Sequence, residues 1–123
     1  MDEATSSKPF DLEERTYQFA QSCRAFVKKL PRTIASIEDS RQLVRSSGSV
    51  AANYIEANEA VSQKDFALRV KIARKEAKES RLWLRLIESS QDGLKKDQQT
   101  LMAEAAELCK IFTSILGKIK PSL

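Results

Sequence analysis

Between Ser62 and Ser90, small or apolar residues recur at Phe66, Val70, Ala73, Ala77, Ser80, Leu84 and Ile87, a 4-3-4-3-4-3 spacing inside an otherwise highly charged run. A period near 3.5 gathers all seven on one side of an α-helix, and a strand, whose faces alternate every second residue, cannot use it. The same run carries eight cations (Lys64, Arg69, Lys71, Arg74, Lys75, Lys78, Arg81, Arg85) against four carboxylates (Asp65, Glu76, Glu79, Glu88). That balance equals the +4 of the whole chain. At about 100° per residue, every cation except Arg69 falls within one arc of about 120°. Asp65, Glu76 and Glu79 fall on the far flank, beside Leu68, Ile72 and Trp83. The helix therefore offers a core seam, a basic stripe and a mixed acidic and apolar flank, and such a helix implies binding.

The rest of the chain agrees with an all-α fold. Three Gly and three Pro in 123 residues are too few for a turn-rich β protein. A charged fraction of 31% with 41% hydrophobic residues suits one folded domain with its own core. No apolar run approaches the roughly 18 residues that span a bilayer. Met1-Asp2-Glu3 does not open a signal peptide, so a cytoplasmic location without membrane contact is expected.

Residues 1–9 (MDEATSSKP) are polar and aperiodic and are expected to form a mobile tail before a bundle domain over 10–120. A first helix starts near Asp11, where Asp11-Leu-Glu-Glu14 resembles a capping box. Its buried stripe is expected to be Thr16, Phe19, Ala20, Cys23, Phe26, Val27 and Leu30, and Pro31 ends it. A second helix runs from about Thr33 or Ser36 to about Asn58, with Ile34, Ile37 and Val44 as the apolar residues of its first half. It then carries the small-residue block Ser46-Ser47-Gly48-Ser49-Val50-Ala51-Ala52. Serine and glycine weaken a helix interior, so packing must compensate. Either another helix approaches closely there, or the block faces a subunit or a ligand. The charged helix follows over 62–90 with Ser62 as cap. Asp92-Gly93 reads as a turn, and a last helix spans about Asp97 to Lys118 with Leu101, Ala105, Leu108, Phe112, Ile115 and Ile119 inward. Pro121 closes it. Four such helices on short connections imply an antiparallel up-and-down four-helix bundle.

Absences narrow the chemistry. Without histidine the chain lacks the commonest general base and metal ligand, and no Glu-x-x-His di-iron motif can form. No glycine-rich phosphate loop and no nucleophile–base pair occurs, so no enzyme activity, cofactor or metal is expected. Cys23 and Cys109 sit among apolar residues and read first as reduced core side chains. A Cys23–Cys109 disulfide or a reactive thiol is the alternative.

The segment Arg45-Ser46-Ser47-Gly48-Ser49-Val50-Ala51-Ala52-Asn53-Tyr54-Ile55-Glu56-Ala57, followed by Phe66 and Ile72-Ala73, resembles a known pattern. It is similar to the bacterial four-helix-bundle family of proteins encoded in 23S ribosomal RNA intervening sequences, to which accessory variability proteins of diversity-generating retroelements are related. Lys75 to Leu84 also resembles a version seen in one branch, while Ala51 and Glu76 depart from the common pattern. The resemblance implies a four-helix protomer assembled as a ring-like homopentamer. Most functions in the family are unassigned, and its retroelement branch binds nucleic acid and a reverse transcriptase. The family-motif residues Arg45, Ser49, Asn53 and Glu56 share one face of the second helix by their 4-4-3 spacing. An ordered polar cluster at a helix or subunit junction is expected of them, with direct ligand contact as the other reading.

Two function classes follow. In the first, the chain is a non-enzymatic homo-oligomeric scaffold that binds RNA or DNA phosphates through Lys71, Arg74, Lys78, Arg81 and Arg85. In the second, it is a structural or protein-interaction module whose charged helix serves ring assembly and a protein partner. Leu68, Ile72, Trp83 and Leu86 are then the oligomer interface, with Trp83 as anchor.

Overall fold

The computed structural model of the protein describes residues 11–89 and 91–119. The expected tail at 1–9 and the closing Pro121 lie outside these residues. The described residues form four helices and no strand: α1 (Leu12–Val27), α2 (Ile34–Asn58), α3 (Gln63–Leu86) and α4 (Asp92–Gly117). Helices consecutive in the chain pack side by side, and α1 closes against α4. The diagonal pairs, α1 with α3 and α2 with α4, have no close backbone approach, and α2 meets α4 through core side chains, where the Tyr54 and Phe112 rings lie 5.9 Å apart. Four neighbours around one core with short turns give the expected antiparallel up-and-down bundle.

Local chemistry sets most helix starts. Asp11 accepts from the Glu14 amide at 3.2 Å. Thr33 and Ser36 form a reciprocal capping box, and Ser62 accepts from the Asp65 amide at 3.0 Å. The Asp11 box is one-sided, because the Glu14 carboxylate instead accepts from Gln18.

The α3–α4 junction differs from the sequence expectation. Helix α3 stops at Leu86 rather than Ser90, with Ile87 extended and buried at the end of the core. The Asp92-Gly93 pair belongs to the first turn of α4, which starts five residues earlier than Asp97. Asp92 suits the positive end of the helix dipole, and Gly93 needs no left-handed backbone there. Gln98 from α4 then donates to the carbonyls of Leu84 (2.6 Å) and Ile87 (2.7 Å), closing the end of α3 from outside.

The core follows the predicted seams. Thr16, Phe19, Ala20, Cys23, Phe26 and Leu30 of the α1 segment are buried, as are Val70, Ala73, Ala77, Ser80, Leu84 and Ile87 around α3, and Leu101, Ala105, Leu108 and Phe112 of α4. In α2 the apolar anchors are Leu43 and Val50. Ile34 is 91% exposed and Ile37 also lies outside the core, because both fall on the outward side of the helix. The small-residue block resolves toward close helix approach. Ser46 and Ser47 on α2 and Ala73, Ala77 and Ser80 on α3 are fully buried, and Ser46 Oγ meets Ser80 Oγ at 2.7 Å. Ser80 also donates to the Glu76 carbonyl at 2.9 Å, so neither hydroxyl is stranded. The α1–α4 seam is the thinnest of the four and is held at its edge by a bidentate Arg15–Glu104 pair at 2.8 and 2.9 Å.

Candidate nucleic-acid interface

The packing of α3 against α4 turns part of the basic stripe into one wall of a groove. Lys71, Arg74, Lys75 and Lys78 line it from α3, and Cys109, Lys110, Thr113 and Ser114 line it from α4, enclosing about 640 Å³. Five cations and two hydroxyls line this space and no carboxylate does, although Lys75 Nζ lies 3.9 Å from the Glu76 carboxylate outside the lining. Arg74 is half-buried and donates from Nη1 to Thr113 Oγ1 at 3.2 Å, which fixes its guanidinium across the groove floor. Lys71, Lys75 and Lys78 are exposed. Lysine and arginine on successive turns recur about every 5.4 Å, a ladder suited to a chain of anions. The Cys109 thiol points at the Arg74 carbonyl (3.7 Å). Burial pushes its pKa up, against the opposing pull of Lys78, Arg74 and Arg81.

Of the five predicted phosphate contacts, Lys71, Arg74 and Lys78 therefore share the groove, while Arg81 and Arg85 are exposed further along α3, beyond its lining. Lys110 was missed. It stands among apolar residues in the second half of α4, away from Lys95 and Lys96, and only the register between α3 and α4 sets it opposite the stripe. Its signal was faint: Cys109, Lys110, Thr113 and Ser114 fall at i, i+1, i+4 and i+5, the polar border of the Leu108–Phe112 seam.

The motif residues of α2 form a second polar cluster, at the α2–α3 junction. Arg45 reaches Glu76 at 3.1 Å and Glu79 at 3.5 Å. Asn53 donates to the Ser49 carbonyl and hydroxyl, both at 3.0 Å, and accepts from Arg69 at 3.2 Å. Arg69, the one cation outside the stripe, is thus turned toward α2. Glu56 does not join the cluster: it is exposed, and its carboxylate makes no hydrogen bond or ion pair among the described residues. Glu76 corrects the expectation of an outward acidic flank. It is only 6% exposed, because its position borders the α2 contact and Arg45 covers it.

On the same flank, Leu68 and Leu86 are 54% and 50% exposed, and Ile72 is half-buried. Trp83 packs against its own core with its Nε1 buried and unpartnered. Both cysteines are free thiols, which removes the disulfide alternative. Among the described residues no cluster of ligating side chains suits a metal, and no helix is long and apolar enough to cross a membrane.

The family model described as 23S rRNA-intervening sequence protein matches residues 8–114, nearly the whole bundle. The chain belongs to that family. A crystal structure from the S23 ribosomal protein family, from Bacteroides thetaiotaomicron VPI-5482 and of unknown function, is similar to it. The two agree with a TM-score of 0.72 at 27% identity over 85% of this chain and 96% of the other. No curated protein matches the sequence. The 23S rRNA-intervening sequence family match runs from before α1 into the last turn of α4, so it includes both the groove and the α2–α3 cluster.

Proposed function

We propose that this family member is a non-enzymatic, homo-oligomeric scaffold that binds RNA or DNA through the α3–α4 groove. The observation carrying this reading is the convergence of Lys71, Arg74, Lys75, Lys78 and Lys110 on one groove without a carboxylate. Like charges placed so close raise the energy of the free protein's surface, and a bound polyanion relieves it by releasing counterions. Arg81 and Arg85 extend the track along α3. The protomers assemble through the Leu68, Ile72, Trp83 and Leu86 flank, and the family resemblance favours a ring of five. A ring repeats the groove and multiplies the phosphates contacted.

Fluorescence anisotropy with labelled RNA and duplex DNA at low and moderate salt tests the binding. Five phosphate contacts to a single strand give a log–log salt slope of about −3.5, or about a hundredfold weaker binding for a fourfold rise in salt. Arg74→Glu with Lys78→Glu abolishes the complex at low salt if the reading is right. Binding that ignores this double reversal overturns it.

The competing reading, a structural or protein-interaction module whose α3 serves ring assembly and a protein partner rather than a polyanion, draws on the exposed leucines and the unpartnered Trp83 Nε1. Trp83→Ala is expected to dissociate the oligomer in light scattering while helicity persists. An unchanged mass places assembly elsewhere.

A further inference from the structure

We infer that the α3–α4 groove recognises a chain of phosphates as such, so that inorganic polyphosphate is a ligand of this site on equal terms with RNA. This rests on the anion-binding reading above and narrows it to a ligand class.

The argument is in what faces the groove and what does not. Discriminating reading of base edges takes a geometry-fixed fork such as Asn, Gln, a carboxylate or an arginine with both prongs free, whereas lysine on its flexible stem acts as a point charge and a lone hydroxyl serves any base. None of the first three lines the groove, and Arg74 spends one prong on Thr113. Base stacking takes an aromatic platform. Every described aromatic residue is elsewhere. Phe19, Phe26 and Phe112 are buried in the core, and Phe66 and Tyr54 pack against it. Trp83 packs against the core, Tyr17 is on α1, and neither lines the groove. A strand laid along Lys71, Arg74, Lys75, Lys78 and Lys110 thus has its bases in solvent. What remains is charge at helical intervals and the Thr113 and Ser114 hydroxyls, all of which bind phosphate oxygens whatever links them.

Cys109 makes the site observable. It is the one thiol in the groove, and Cys23 is fully enclosed in the core, so a thiol reagent reports on groove occupancy with an internal control. The experiment uses the full chain, labelled poly(U), and linear inorganic polyphosphate, poly(A) and poly-aspartate as competitors. Maleimide labelling of Cys109 is followed by mass spectrometry. Expected is displacement of poly(U) by polyphosphate and poly(A) at phosphate concentrations within about tenfold of each other. Poly-aspartate is much weaker, and Cys109 is protected by both phosphate polymers. Lys71→Glu with Lys110→Glu, with helicity checked by circular dichroism, weakens RNA and polyphosphate by the same factor. If RNA binds but polyphosphate does not displace it at a hundredfold excess of phosphate, the inference fails and nucleic-acid binding stands. Binding without protection of Cys109 also overturns it, because the ligand is then elsewhere. If neither polymer binds, the function proposed above falls with it.

Discussion

The two cysteines differ only in surroundings. Burial pushes the Cys23 thiol up to about 12, whereas Cys109 borders solvent in the groove. Alkylation of the native protein near pH 8 is therefore expected at Cys109 alone, with Cys23 reacting only after unfolding, as read by peptide mass spectrometry. The unfolded Cys23 thiol ionises near 9.0 and the folded one near 12. Between these values the unfolded state binds fewer protons, so this contribution is complete below pH 9 and is lost as pH rises toward 12. Urea midpoints of the native chain should fall more steeply across that window than those of Cys23→Ala. Arg45 and Glu76 supply the other residue-level test. Arg45 is partly exposed and Glu76 is not, so Arg45→Ala should cost about 1–2 kcal/mol, between a surface pair and a buried one. The motif face of α2 was legible because its spacing is local. The partner of Arg45 was not, because Glu76 reads as outward on a helical wheel that lacks the neighbouring helix.

At the scale of the element, the seams of α1, α3 and α4 could be read almost residue by residue, since amphipathic period survives any packing arrangement. The α3–α4 connection could not. Asp-Gly is a strong turn signal in isolation, yet here a dipole-compatible Asp92 opens the helix, and buried Ile87 and the Gln98 side chain end the preceding one. Gly93 has open space where a Cβ would sit, so Gly93→Ala should stabilise by about 0.5–1 kcal/mol in chemical denaturation. Gln98→Ala should destabilise by about 1 kcal/mol and speed amide exchange in the last turn of α3. The groove belongs to the same lesson. Its α3 wall is visible in the charge pattern, while Lys110 depends on the register of two helices and on nothing local.

At the scale of the whole molecule, α1 is held by the thinnest seam and lies diagonal to the groove helix α3. Hydrogen exchange should find α1 opening before α3, and Arg15→Ala should widen that gap while leaving RNA affinity unchanged. The Arg45 clasp has a different outcome. By folding Glu76 and Glu79 into an internal pairing with Arg45, the chain leaves its outer flank mainly to Leu68, Ile72 and Leu86. On the other side it leaves a groove in which, among the described residues, Lys75 alone of the lining cations has a carboxylate partner, Glu76 at 3.9 Å. Self-association on the first surface is driven by water, and capture of a polyanion on the second by small ions. Ionic strength should therefore act as a selective eluent, stripping the cargo from an assembly that stays whole.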